Sequence, residues 1–293
     1  MTEQPPAWFS AALAAPADEG LVDVDGTRVR YRAWGEPGAP GAVLVHGTAA
    51  HAHWWDHVGP QMPAGLRIAA LDLSGHGDSD WRERYSLEHW AREVLAVASD
   101  AGISGPPVLI GHSLGGAIVL RAATLPGAGL AGVVVIDSPL HEVPPVLPPG
   151  ASPFGGDRLY PGRAEALARF RLVPEQPVLP YIREHIAAQS VRQKEGGEWG
   201  WKFDRRLFAK MEPSRPLAGP AGCPVAVLRA EHGMMTAEMV AMIRERIGPV
   251  APDAEIPAAG HHVMLDEPLC LVTALRLVLA GWGVPDEAAG QAA

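Results

Sequence analysis

Cysteine is nearly absent. The 293-residue chain has two, Cys223 and Cys270, which make no disulfide framework and lack the spacing of metal ligands. Cys223 precedes an apolar strand pattern and Cys270 falls inside an apolar helix pattern, so both are expected as buried, reduced thiols. Positive charge is also in short supply: 24 Lys+Arg against 33 Asp+Glu leave a net −9, with no basic run. That balance argues against nucleic acid or an anionic membrane as a partner. The N-terminal stretch MTEQPPAWFSAALAAPADEG has neither the basic start nor the continuous apolar core of a signal peptide. Nowhere do about 18 apolar residues run on uninterrupted, as a membrane span requires. A cytoplasmic protein is expected, with a small molecule as its partner and no cofactor; nothing here speaks to oligomeric state.

What is present reads as an ordinary globular composition, 47% hydrophobic and 19% charged. Short apolar runs alternate with helical patterns, which points to an α/β architecture with a mostly parallel sheet. LVDVDGTRVRYRAWG alternates on either side of Asp25-Gly26, a hairpin signal. GAVLVHG and RIAALDLSGHG read as buried strands running into Gly-rich turns. SLEHWAREVLAVASDAG has helical spacing behind a capping serine. From Pro139 to Pro220 the rhythm stops: Pro, Arg and aromatic residues accumulate, strands are hard to find, and YIREHIAAQS reads as a helix. It resumes with CPVAVLRA, the helix TAEMVAMIRERIG, a short strand AEIP and a last helix from Pro268 to Trp282. The expected organisation is an N-terminal extension (1–20), a core in two pieces (21–138 and 221–284), an inserted, largely helical cap (139–220) and a frayed tail (285–293).

GHSLGG places Ser113 between Gly111 and Gly115, preceded by the strand pattern PVLI and followed by the helix pattern AIVLRAA. A serine at such a strand-to-helix turn stands free at a strained apex, with glycines letting the backbone pass close by. Leu114 opens the helix, so its N–H has no intrahelical partner and can stabilise an oxyanion. In LVHGTAAHAHWW a strand ends at His46-Gly47, and the N–H of Thr48 is the second candidate donor. His46 itself is read as a loop anchor, and His51, His53 and His57 as no zinc site, because no carboxylate or cysteine set accompanies them.

These motifs, HGT, LDLSGHGDS, GHSLGG and AGHHVMLDEP, occur in the order and context of the α/β-hydrolase superfamily, which the chain resembles from about Leu21 to Trp282. The resemblance implies a central sheet with flanking helices and an inserted cap, a serine nucleophile at Ser113, and a structural role for the turn Asp72–Ser79. It implies that the base is His261, which has Gly260 before it, Asp266 five positions on and Pro268 after that. His262 is then a packing or pocket residue, and His112 a group that reaches substrate.

The acid is the departure. By resemblance it should stand two positions beyond the Glu of RAEHG, and that position is Gly233. Glu231 offers a longer side chain from the same loop, and Asp137 ends the preceding strand, GVVVID, where some haloalkane dehalogenases carry their acid. Asp137 is favoured, Glu231 is the alternative, and a dyad or non-catalytic relative stays open. The cap aromatics Tyr160, Phe170, Tyr181, Trp199, Trp201 and Phe203, with Trp54 and Trp55 on the oxyanion loop, suggest an apolar or aromatic substrate. Trp54, Trp55, His112, Trp199 and Trp201 are the pocket candidates; Arg169, Arg171 and Lys202 are read as surface charge before a carboxylate receptor. The expected activity is hydrolysis of a carboxylic ester, thioester or lactone. A lyase, cyclase or perhydrolase using the same pocket, and a vestigial binding protein, are the alternatives.

Overall fold

In the computed structural model, which describes residues 4–140, 158–213, 217 and 219–284, α1 (Ala7–Ala14) leads into a hairpin of β1 (Asp18–Val24) and β2 (Thr27–Trp34). Its turn puts Asp25 at φ 53° and Gly26 at φ 76°, the two left-handed positions that match the twist of paired strands. Then come β3 (Gly41–Val45), β4 (Arg67–Leu71), α2 (Leu87–Asp100), β5 (Val108–His112), α3 (Leu114–Ala123) and β6 (Gly132–Ile136). Ser86 caps α2 by accepting from the His89 N–H at 3.1 Å. After β6 the chain leaves the sheet for α4 (Arg163–Leu167), α5 (Pro180–Gln189), β7 (Val191–Gln193) and β8 (Trp199–Trp201). It returns with β9 (Val225–His232), α6 (Ala237–Arg246), β10 (Val250–Gly260), α7 (Val263–Asp266) and α8 (Pro268–Gly281).

The large sheet has the order β1-β2-β4-β3-β5-β6-β9-β10. Only the β1–β2 and β2–β4 pairings are antiparallel. Both faces are covered, and the side chains of the central strands split between them with period two. Ile110, Val134, Ile136 and Leu228 pack on one side with Trp55 and α8 residues such as Leu271 and Leu275. Leu109, Val133, Val135 and Val227 pack on the other with Trp90, Val94 and Ile118. The chain runs from β3 outward to β4, then returns to β5 on the opposite side of β3. That reversal is a topological switch point, where open α/β sheets hold their ligands outside the carboxyl ends of the strands. The loop after β3 and Ser113 after β5 meet there.

Several expectations need adjusting. α1 packs within the stretch read as an extension: Phe9 is buried, with its ring 4.8 Å from that of Tyr181 in α5. The segment between β6 and β9 contains the antiparallel pair β7–β8, hidden from sequence reading because each strand has three residues. The short strand AEIP belongs to an 11-residue β10, whose prolines and exposed positions interrupt the apolar pattern. Cys270 is exposed rather than buried, because Leu271, Val272, Leu275, Val278 and Leu279 define the inward stripe of α8 and Cys270 falls outside it. Cys223 is half-buried. The expected tail (285–293) and part of the expected cap (141–157) lie outside the described residues. Among the described residues, no helix is long and apolar enough to cross a membrane.

Candidate active site

Ser113 links β5 to α3 with φ 54° and ψ −119°, a backbone conformation that costs a non-glycine residue about 1–3 kcal/mol. The flanking glycines are what the turn needs. A Cβ on Gly111 would sit 2.2 Å from the Gly115 carbonyl oxygen, and one on Gly115 would sit 2.3 Å from that of Val45. Two hydrogen bonds hold the apex: the Ser113 N–H donates to Ile136 O at 3.0 Å, and Ser138 Oγ donates to Ser113 O at 2.5 Å. Sequence reading passed over Ser138, although it follows Asp137 directly.

His261 follows β10 and is buried. Its Nε2 lies 3.1 Å from Ser113 Oγ, and its Nδ1 lies 2.7 Å from Asp137 Oδ2. Asp137 directly follows β6, with no exposed surface and φ 37°. Its carboxylate also accepts the backbone N–H groups of Ala230 at 3.2 Å, Met234 at 2.8 Å and Met235 at 3.2 Å. Burial by itself would raise the Asp137 carboxyl. The hydrogen bonds from His261, Met234 and Ala230 outweigh it and hold the group below its usual range.

Gly233 accounts for its own lack of a side chain. A Cβ there would stand 2.3 Å from Asp137 Oδ1, so the Asp137 carboxylate fills the space. Glu231 goes elsewhere: it is exposed, and its Oε2 accepts the Ala258 N–H at 2.7 Å, pinning β10.

The loop after β3 passes close to the serine, since a Cβ on Gly47 would lie 3.0 Å from Ser113 Cβ. Thr48 follows immediately, and Leu114 opens α3, where N–H groups have no intrahelical acceptor. His46 anchors this loop as expected. Its Nε2 accepts the Leu73 N–H at 3.1 Å, leaving Nδ1–H to donate to Gly47 O at 2.7 Å, and burial keeps its pKa well below that of a free imidazole. Asp72 likewise accepts from Ala52 and Asp78 N–H groups at 2.7 and 2.8 Å, a turn-forming role.

A cavity of about 260 Å³ is lined by Thr48, Ala49, Trp54, Phe170, Trp201 and His262 among others; Thr48 and His262 are the chain neighbours of Gly47 and His261. Of the five pocket candidates, Trp54 and Trp201 stand on its wall. The other three pocket candidates do not. Trp55 is fully buried in the core. Trp199 packs behind the wall with Tyr160 and Ala166 under the Arg163 guanidinium and is not itself a lining residue. His112 is buried beneath the histidine loop, where its Nε2–H donates to His261 O at 2.8 Å. Burial, with His261 and His262 alongside, depresses its pKa, so it acts as a neutral support.

The histidine loop is fastened by Gln176 and Asp266. Gln176 Oε1 accepts the His262 N–H at 2.8 Å, and its Nε2 donates to Asp266 Oδ2 at 2.7 Å. Asp266 Oδ2 also accepts the Gly260 N–H at 2.6 Å. This gives the acidic residue five positions after His261 a physical job. Gln176 was missed, because nothing in EQPVLP marks a residue that closes a contact 86 positions away.

Two groups of potential metal ligands occur among the described residues: His112, His261 and His262, and His53, Asp56 and His185. In the first, both ring nitrogens of His261 and Nε2 of His112 already hold hydrogen bonds. In the second, the Arg32 guanidinium lies 3.0 Å from His53 Nδ1 and 3.2 Å from Asp56 Oδ1, a cation among the donors. The three histidines of HAHWWDH go separate ways: His51 to Ser190 Oγ at 2.9 Å, His53 to Asp56 at 2.8 Å, His57 to Met264 O at 2.6 Å. Two of those bonds reach the segment between β6 and β9 or the histidine loop, so they fasten the site's walls together.

A family model described as the alpha/beta hydrolase family matches residues 42–275. The chain is 29% identical over 259 residues to lipase LipV of Mycobacterium tuberculosis (strain ATCC 25618 / H37Rv), across 82% of this chain and 94% of the lipase. It is 27% identical over 256 residues to esterase Rv0045c of the same organism, across 84% of each. A solved structure, a hypothetical protein from Pseudomonas aeruginosa PAO1, has a TM-score of 0.70 at 25% identity, covering 91% of this chain and 99% of that one.

Proposed function

The chain belongs to the α/β-hydrolase family, and from that premise we propose a cofactor-independent serine hydrolase of carboxylic esters, thioesters or lactones, with Ser113, His261 and Asp137 as its triad. The observation that carries this reading is the unbroken path from Ser113 Oγ to His261 Nε2 at 3.1 Å and from His261 Nδ1 to Asp137 at 2.7 Å. Ser113 attacks the carbonyl carbon while His261 Nε2 takes the Oγ proton. Asp137 holds the proton of His261 on Nδ1, which leaves Nε2 as the acceptor, and stabilises the imidazolium that forms. The N–H groups of Thr48 and Leu114 receive the oxyanion. His261 then protonates the leaving group, and water, deprotonated by the same imidazole, releases the acyl group.

The described part of the segment 139–220 acts as a cap and supplies much of the pocket wall, from Tyr160 to Arg205. Trp54, Phe170 and Trp201 favour an apolar or aromatic portion of a small-molecule substrate.

The test is intact-mass labelling with a fluorophosphonate, followed by product analysis on an ester panel. Wild type is expected to gain one adduct and Ser113→Ala none. Asp137→Asn is expected to label slowly, and Glu231→Gln at the wild-type rate. Slow labelling by Glu231→Gln alone moves the acid to the loop after β9. A folded wild type that neither labels nor releases a carboxylic acid rules the reading out.

A further inference from the structure

The cavity wall has one sign of charge. Arg169, Arg171 and Arg205 line it, with no Asp or Glu among the lining residues. This runs against the whole chain, in which acids outnumber bases 33 to 24. The bias belongs to the surrounding segment, since residues 158–213 contain eleven Lys and Arg against seven Asp and Glu. Nearby cations are used differently. Lys202 is held by Asp78 at 2.7 Å, and Lys210 Nζ donates to Arg82 O at 3.2 Å, so both serve to fasten the segment to the core. Arg171 is braced instead by backbone: its Nη1 donates to Phe170 O at 2.7 Å and Ala168 O at 3.3 Å. Arg205 carries its guanidinium 5.8 Å from the centre of the Phe203 ring. Bracing and stacking reduce the freedom these side chains lose when they grip a planar anion, which the guanidinium fork fits bidentately.

Thr48, beside the serine, lines the same cavity as the three arginines, with Trp54, Phe170, Leu172 and Trp201 also on its wall. We propose that the substrate is an ester or thioester whose end remote from the reacting carbonyl carries a carboxylate, with an apolar or aromatic stretch between the two. Arg169, Arg171 and Arg205 receive the carboxylate, and the aromatic wall covers the stretch. This rests on the serine-hydrolase reading above and adds a substrate class to it. Because Arg169 and Arg171 are exposed, the attraction also acts during encounter and weakens with salt.

The experiment measures kcat/KM for three aryl esters: mono-p-nitrophenyl glutarate (carboxylate on the acyl side), 4-butyryloxybenzoate (carboxylate on the leaving group) and neutral p-nitrophenyl valerate. The quantity read is the preference for a charged ester over the neutral one, after correction for leaving-group reactivity. The expected result is a preference of at least about tenfold for one of the two charged esters, carried mainly by KM and reduced by added salt. The charged ester that is preferred assigns the carboxylate to the acyl or the alcohol side. Arg171→Gln combined with Arg205→Gln is expected to bring the preference to near one, while Arg206→Gln, outside the cavity, keeps it. Turnover of the neutral ester with no charge preference, or a preference untouched by the double variant, overturns the inference and leaves the hydrolase reading standing. Absence of both turnover and fluorophosphonate labelling overturns the two together.

Discussion

Asp137 and Glu231 stand at or near the ends of neighbouring parallel strands, β6 and β9, yet their surroundings differ in every respect that matters for catalysis. Asp137 has no exposed surface and is met by three backbone N–H groups and an imidazole. Glu231 is exposed and meets one N–H, that of Ala258. A third carboxylate, Asp266, lies between these extremes: half-buried, with donors on both oxygens, and pushed up to about 6 by burial. The comparison teaches that a carboxylate's usefulness as a triad acid follows from what shields and feeds it. An exposed acid nearby is screened by water, whereas a buried one must be compensated, and an imidazole N–H is part of that compensation.

The harshest challenge to this contrast is exchange of each acid for its amide. Asp137→Asn should lower kcat on an activated ester by about 10⁴-fold, because the amide favours the wrong tautomer of His261. Glu231→Gln should stay within about twofold of wild type. Comparable losses in steady-state kinetics would dissolve the distinction.

Gly233 sharpens it next. Gly233→Ala puts a methyl group 2.3 Å from Asp137 Oδ1, and overpacking of that kind costs about 1–3 kcal/mol. We expect a lower melting temperature and a kcat/KM reduced by about tenfold to a hundredfold. Asp137→Ala with Gly233→Asp should exceed Asp137→Ala alone, since the new carboxylate enters the vacated space. Equal activity of the two would show that the neighbouring strand end cannot serve His261.

A smaller effect separates the paired histidines. His262 is pushed down to about 3 by burial, with the neighbouring His261 adding to the effect. It therefore stays neutral throughout the working range. His262→Asn is expected to alter kcat/KM severalfold through the pocket wall, leaving the acid limb of the pH–rate profile in place. A displaced limb would assign His262 a titrating role.

Asp266 gives the mildest test. Its folded value of about 6 lies above the unfolded carboxylate value of about 3.9. Its contribution to stability is therefore full below the unfolded value and lost as pH rises through the folded one. The melting temperature of wild type relative to Asp266→Asn should fall between pH 4 and pH 7, the window those values set. A constant difference across that window would mean that the donors from Gly260 and Gln176 cancel the burial.

Much of this was legible before any coordinates. The hairpin at Asp25-Gly26, the buried strand before Ser113 with the helix after it, and the capped helix α2 all rest on short-range rules, and each lies where the spacing puts it. Features that depend on contacts far apart in the chain were not. Trp54 and Trp55 are adjacent and chemically identical, yet one lines the cavity and the other is sealed in the core. His112 looked like a substrate-facing group from its place in the elbow, but its ring turns under His261. Arg205 drew no notice, while Lys202, three positions earlier, pairs with Asp78 instead of facing a ligand.

By itself, the sequence determined the α/β rhythm, the sharp turn at Ser113 and the histidine that follows β10. Local backbone sterics and hydrophobic period suffice for the first two, whose residues are near their partners in the chain; His261 was legible through the family resemblance, since Ser113 and Asp137 lie 148 and 124 positions from it. Only the tertiary structure brought Asp137, and not Glu231, against the His261 imidazole, gave Gly233 its reason and gathered three arginines around one cavity. Those outcomes depend on which strand ends lie side by side and which side chains water can reach, and no local pattern encodes either.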